Sequence, residues 1–179
     1  MEEFKLYSVS DEYIDYLRKT EPNVYGNKVG MRRHTRKYLG VAITIGDFSY
    51  FIPLSSAKDS DYVIKDGRRI IRKSIVPIIR ITAKNLRGEL ELKATIRISH
   101  MIPVPQSELE LYDVKGETDT KYKDLVQSEI IFIRKNADDI RKKAELLYKQ
   151  KCSGVDIGYV KAALDYQALE KLCSAFSKH

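Results

Sequence analysis

The hydrophobic and polar positions of this chain change period several times, and each change marks an element. Phe4 to Ser8 reads as a short strand, and Ser10 is placed to cap a helix. Asp11 and Glu12 follow, where the positive end of the helix dipole favours them. Tyr13, Tyr16 and Leu17 share one face of that helix, which marks Tyr13 as a core aromatic. Glu21 to Thr35 holds Pro22, Asn23, Gly26, Asn27 and Gly30, so it reads as a loop. Tyr38 to Ile45 is rich in β-branched and aromatic residues, Gly46-Asp47 signals a two-residue hairpin, and Phe48 to Ile52 returns as the partner strand. Pro53 has no N–H to give a ladder, which predicts that pairing stops there or runs along an edge. Asp59 to Lys73 reads as a polar loop. Ile75 to Thr82 is a strand interrupted by Pro77, hence an edge. Asn85 to Gly88 turns the chain, and Glu89–Lys93 and Thr95–Ile102 alternate as two further strands.

The period then becomes helical. Val126, Ile130, Ile133, Ala137, Ile140, Ala144 and Leu147 step alternately by four and three, predicting one long amphipathic helix. It starts at Asp119 or Thr120 and stops at Cys152–Gly154. A last helix, about Asp165 to Phe176, turns Leu169, Leu172, Cys173 and Phe176 to one side. Strands and helices mix without βαβ alternation, which argues for an α+β fold: a twisted antiparallel sheet with helices packed on it, in one domain over residues 1–179.

Charge narrows the partner. Thirty-two Lys and Arg against twenty-five Asp and Glu leave a net charge of +7, which favours a polyanion, nucleic acid before membrane. Twelve Tyr add rings suited to base stacking, Tyr25 and Tyr122 among them. The two cysteines, Cys152 and Cys173, form no metal-ligand pair and suit a reducing compartment. No apolar run has the character of a signal peptide or a membrane span, so a cytoplasmic protein without membrane contact is expected.

Candidate chemistry gathers in two stretches. The Gly-bearing loop carries Lys28, Arg32, Arg33 and His34, with Arg36 and Lys37 just after it, the composition of a phosphate-contact region or of a solvated basic loop. Past the second hairpin strand come Ser55, Ser56, Ala57 and Lys58: two hydroxyls and an ammonium held by a stiff scaffold. Metal-free RNA cleavage needs a 2′-OH deprotonated, a 5′-oxygen protonated and the phosphorane charge stabilised, and these groups suit that work. A plain polar turn fits the same residues. No phosphate-binding P-loop, GxGxxG, HExxH or GxSxG pattern is present. Of the histidines, His34 sits in the basic loop, His100 reads as structural and His179 is terminal.

Four collinear stretches resemble the ToxN/AbiQ family of type III toxin–antitoxin systems. They are Phe4 to Leu17; Arg36 to Gly40 followed by Tyr50 to Lys58, similar to the family's "(K/R)xxxG … YxxPLTSPK"; Ile98 to Val104; and Tyr122 to Ile140. The resemblance implies a metal-independent endoribonuclease without cofactors, a sheet related to the Kid/MazF-type barrel, and products with 2′,3′-cyclic phosphate and 5′-hydroxyl ends. It implies partners too: substrate RNA, and an RNA antitoxin of repeated pseudoknots closing with the protein into a cyclic assembly, with no protein antitoxin. The biology expected is growth arrest and abortive infection against phage. Carried over by position, Ser56, Ser55, Lys58 and Arg36 are the catalytic candidates, and Tyr13 falls on a groove tyrosine. Ala57 departs from the family's Pro, and Arg36 stands where some members have Lys; Arg is a poor proton donor or base. Lys28, Arg32, Arg33, His34, Lys37, Arg69 and Tyr122 are the RNA-contact candidates. The alternatives are a non-catalytic RNA-binding module and a Kid/MazF-type toxin inhibited by a protein.

Overall fold

The computed structural model describes residues 4–27 and 34–176. Strand β1 (Lys5–Val9) leads into helix α1 (Asp11–Thr20), which is capped as its sequence predicts: Ser10 Oγ accepts the Tyr13 N–H at 3.2 Å. Strands β2 (Tyr38–Ile45) and β3 (Phe48–Ser55) form the predicted hairpin, with Gly46 at a φ of 57°. Gly40 has a separate role, since a Cβ there would lie 2.1 Å from the Phe51 ring. The bare backbone lets the bulged part of β2 pass over that buried ring.

Strand β3 runs on to Ser55 as a central strand, so Pro53 neither ends the pairing nor marks an edge. The reason lies on the other flank of β3. There, β7 (Leu90–Arg97) pairs with Leu54 and Ser55, β8 (Ile102–Pro103) pairs with Tyr50 and Phe51, and a 3₁₀ turn at Ile98–His100 interrupts them. The Leu54 N–H faces β2, bonding the Lys37 carbonyl at 2.9 Å, so the Pro53 nitrogen faces the interruption, where no donor is required.

The stretch expected as a polar loop instead forms a hairpin of β4 (Tyr62–Lys65) and β5 (Arg68–Ile71). Asp66 and Gly67 turn it with φ values of 51° and 72°, the two positive angles of a type I′ turn. Strand β6 (Ile78–Lys84) is the predicted edge, and β7 is one strand where two were expected. With β9 (Leu109–Leu111), the antiparallel sheet runs β6-β7-β3-β2-β1-β9, with β8 beside β3. Its outer strands β6 and β9 do not meet, so among the described residues the sheet stays open rather than closing into a Kid/MazF-like barrel.

The long helix is also corrected. The stripe spans two helices, α2 (Thr120–Lys135) and α3 (Ala137–Cys152), broken at Asn136, whose side chain bonds the Phe132 carbonyl at 2.8 Å. Asn competes for backbone in this way and is a poor helix-interior residue. The apolar phase survives the break: Val126, Ile133, Ile140, Ala144 and Leu147 are all buried. Helix α2 packs on β6 and β7, and α3 on β2. A short α4 (Gly158–Lys161) precedes α5 (Tyr166–Ala175), capped by Asp165. No helix among the described residues is long and apolar enough to cross a membrane.

Candidate nucleic-acid cleavage site

A cleft of about 240 Å³ opens beside α2, between the segment that leads into β2, the end of β3 and the middle of β7. His34 to Lys37 enter from the segment before β2, Leu54 to Ser56 from the end of β3, Lys93 and Ala94 from β7, and Tyr122, Leu125 and Glu129 from α2. Two stretches well separated in sequence are thus joined because the β2–β3 hairpin folds one back on the other.

Arg36 is the fixed cation of this cleft. It is only 6 % exposed. Its Nη1 donates to the Leu54 carbonyl and to Ser55 Oγ, both at 2.9 Å, and its Nε donates to the Gly26 carbonyl at 3.1 Å. A guanidinium held this way keeps its charge and its direction. Ser55 is buried and accepts from Arg36, which leaves its hydroxyl hydrogen to donate elsewhere; Ser56 is exposed on the rim. Lys58 lies two residues further along the same exposed turn.

Lys37 runs along the other wall. Its Nζ donates to the Tyr122 hydroxyl at 2.8 Å and lies 3.3 Å from Glu129 Oε2. Burial pushes the Glu129 carboxyl above its usual range, with Lys37 opposing the shift. His34 stacks on Tyr122 with ring centres 3.6 Å apart, and its Nε2 lies 3.4 Å from Asp119 Oδ2. Tyr122 is therefore in the cleft, with one face already covered.

Other candidates sit elsewhere. Tyr13 is fully buried, its hydroxyl donating to the Pro103 carbonyl at 2.6 Å, so it is a core residue and not a groove contact. Arg69 projects from the β4–β5 hairpin, over the Tyr62 ring and 2.7 Å from Asp59. Tyr25 has its ring stacked on His100 at 4.1 Å, with the Arg36 guanidinium 4.6 Å from its centre. Lys28, Arg32 and Arg33 lie outside the described residues.

Two residues that line the cleft escape the sequence reasoning. Glu129 interrupts the apolar stripe of α2 at a core-facing position, which is a usable signal: a charge on a buried face needs a partner. Lys93 carries no signal beyond strand alternation. His100 belongs to the 3₁₀ turn; burial first, then the charges of Arg97, Arg36 and Lys58, lower its pKa to about 4. It is neutral at physiological pH.

The profile of the family described as "Toxin ToxN, type III toxin-antitoxin system" matches residues 5–174. The chain belongs to the ToxN family. It is 32% identical to endoribonuclease AbiQ of Lactococcus lactis subsp. lactis, over 97% of this chain and 90% of that one. It is 29% identical to endoribonuclease ToxN of Bacillus thuringiensis subsp. kurstaki, over 81% and 67%. A solved type III structure, described for selective toxin inhibition by a non-coding RNA pseudoknot, superposes with a TM-score of 0.76 at 26% identity, over 97% of both chains. The Arg36–Ser55 cleft is thus a feature of a ToxN-family fold.

Proposed function

We propose that this ToxN-family chain is a cytoplasmic endoribonuclease toxin that cleaves RNA at the Arg36–Ser55–Ser56–Lys58 turn by attack of the 2′-oxygen on phosphorus. The observation that carries this reading is the buried Arg36 guanidinium joined to the Ser55 hydroxyl inside a cleft lined with cations. The 2′-O–P bond forms as the P–O5′ bond breaks. The 2′-OH proton is taken by a base and the 5′-oxygen is protonated, leaving 2′,3′-cyclic phosphate and 5′-hydroxyl ends. Arg36 holds charge against the phosphorane, and Ser55 and Ser56 donate to its non-bridging oxygens. Lys58 is the proton-transferring group, because Arg36 does not lose its proton at working pH. The chemistry proposed needs no metal.

The partner proposed is an RNA antitoxin seated on the same basic cleft, assembling with the protein into a closed ring. Blocking the cleft with RNA inhibits cleavage because substrate and inhibitor need the same cations.

The reading is tested with purified protein and a defined RNA in EDTA, followed by end-group analysis. Cyclic phosphate and 5′-hydroxyl ends are expected, lost in Ser56→Ala and formed far more slowly, but still measurably, in Lys58→Ala. Intact RNA from inhibitor-free protein would instead favour a binding module.

A further inference from the structure

Asp61 lies just past the Ser55–Lys58 turn and is 1 % exposed. Its Oδ1 accepts from Arg80 Nε at 3.2 Å and lies 3.1 Å from Arg80 Nη2. Its Oδ2 accepts the Lys58 backbone N–H at 2.9 Å and lies 3.7 Å from Arg97 Nη2. The Asp61 N–H returns to the Lys58 carbonyl at 2.9 Å, so the two residues bond each other twice. A second line leads to the start of the turn: Arg97 Nε donates to Thr95 Oγ1 at 3.0 Å, and that hydroxyl donates to the Ser55 carbonyl at 3.4 Å. The buried acid therefore bonds the Lys58 end of the turn directly and reaches the Ser55 end through its ion pair with Arg97.

Stability alone is a poor explanation for this cluster. Replacing a buried ionic group by packed apolar residues is often neutral or favourable, so the ionic form supplies direction more than stability. Direction is what this turn needs. Ala57 puts no restriction of its own on the backbone between Ser56 and Lys58, as a proline would. Two guanidiniums against one carboxylate also leave the cluster with net positive charge, so Asp61 does not cancel the cationic field around Lys58.

We propose that Asp61 is a positioning residue for cleavage, fixing the Lys58 backbone, and with it the ammonium, against the scissile phosphate. The proposal rests on the cleavage reading given above.

Asp61→Ala would strand two buried guanidiniums and endanger the fold, so Asp61→Asn is the informative variant. Its single amide oxygen turns to the arginines, and its NH₂ then meets the Lys58 N–H donor to donor. Single-turnover cleavage is measured with protein in excess for wild type, Asp61→Asn, Lys58→Ala and the double variant, beside the Kd for the same RNA fully 2′-O-methylated. Asp61→Asn should slow the saturated rate about tenfold and leave Kd within about threefold. The double variant should be no slower than Lys58→Ala, because both changes act through one group. An Asp61→Asn rate within about twofold of wild type, or losses that multiply in the double variant, would overturn the proposal. Normal cleavage by Lys58→Ala would remove the proton-transfer role of Lys58 and overturn the positioning role with it, whereas intact RNA with the wild-type protein sinks the cleavage reading itself; both results are visible without any Asp61 variant.

Discussion

Lys37 and Glu129 hold each other beneath the cleft, and neither tolerates the loss of its partner. Their side chains are 8% and 2% exposed. Lys37→Met leaves a buried carboxylate unpaired and should cost about 3 kcal/mol in urea unfolding, because the attraction that offset its desolvation is gone. Lys37→Met with Glu129→Gln should recover much of that loss, a recovery a purely local packing defect would not show. His100 adds a pH dependence. Its folded pKa, about 4, lies below the ordinary 6.5, so between those values the unfolded chain binds a proton that the folded chain does not. Stability from this group is complete above pH 6.5 and is lost as pH falls toward 4, by about 2 kcal/mol after allowing for its partial exposure. His100→Gln should flatten that part of the pH–stability curve, and an unchanged slope would refute the assignment. The sequence shows both histidine and glutamate as residue types; it does not show their burial, because partners from β2, β7 and α2 are far apart along the chain.

At the scale of elements, the patterns with local causes are the legible ones. Ser10, Asp119 and Asp165 cap their helices because a short polar side chain can reach a backbone N–H three residues on, and that geometry needs no tertiary contact. The β2–β3 hairpin follows equally from Gly46. Expectation and structure part where a neighbour changes the rule. Pro53 sits mid-sheet only because the flanking strand is interrupted, and β4–β5 is obscured because its charged strands hide the Asp66-Gly67 turn. The helical stripe keeps phase through Asn136, so periodicity alone is blind to the break. Gly40 supplies the test at this scale. Gly40→Ala should destabilise by about 2 kcal/mol in thermal or urea unfolding, since the new Cβ would overlap the buried Phe51 ring. Adding Phe51→Leu should lessen the penalty by removing the ring from that overlap.

Across the whole molecule, the tyrosines divide between the core and the cations they stack against. Tyr13, Tyr38, Tyr50 and Tyr166 are fully buried, so much of the tyrosine bias builds core rather than stacking surface. The exposed cations of the β4–β5 hairpin stand beyond the cleft and suit phosphates rather than bases. Changing Lys65 and Arg68 of the hairpin and Lys73 just past it together to Gln should weaken binding to RNAs of different sequence alike. It should also reduce the slope of log Kd against log salt by roughly two, at about 0.7 for each single-strand phosphate that is no longer neutralised. Fluorescence anisotropy over a salt series with 2′-O-methylated RNA measures both. An unchanged slope would place the RNA path away from this hairpin.

By itself, the sequence determined the class of fold, most strand and helix positions and the cationic character, because propensity, period, capping and net charge are local or additive quantities; the Arg36-to-Lys58 catalytic candidates rested on its resemblance to the ToxN/AbiQ family. Tertiary structure alone decided which candidates meet. It set Arg36 against Ser55, sent Tyr13 into the core, left the sheet open, and drew Asp61, Arg80 and Arg97 behind the turn. Those outcomes depend on register and on the energetics of burying charge, where one hydrogen bond made or missed between distant residues settles the position of a side chain.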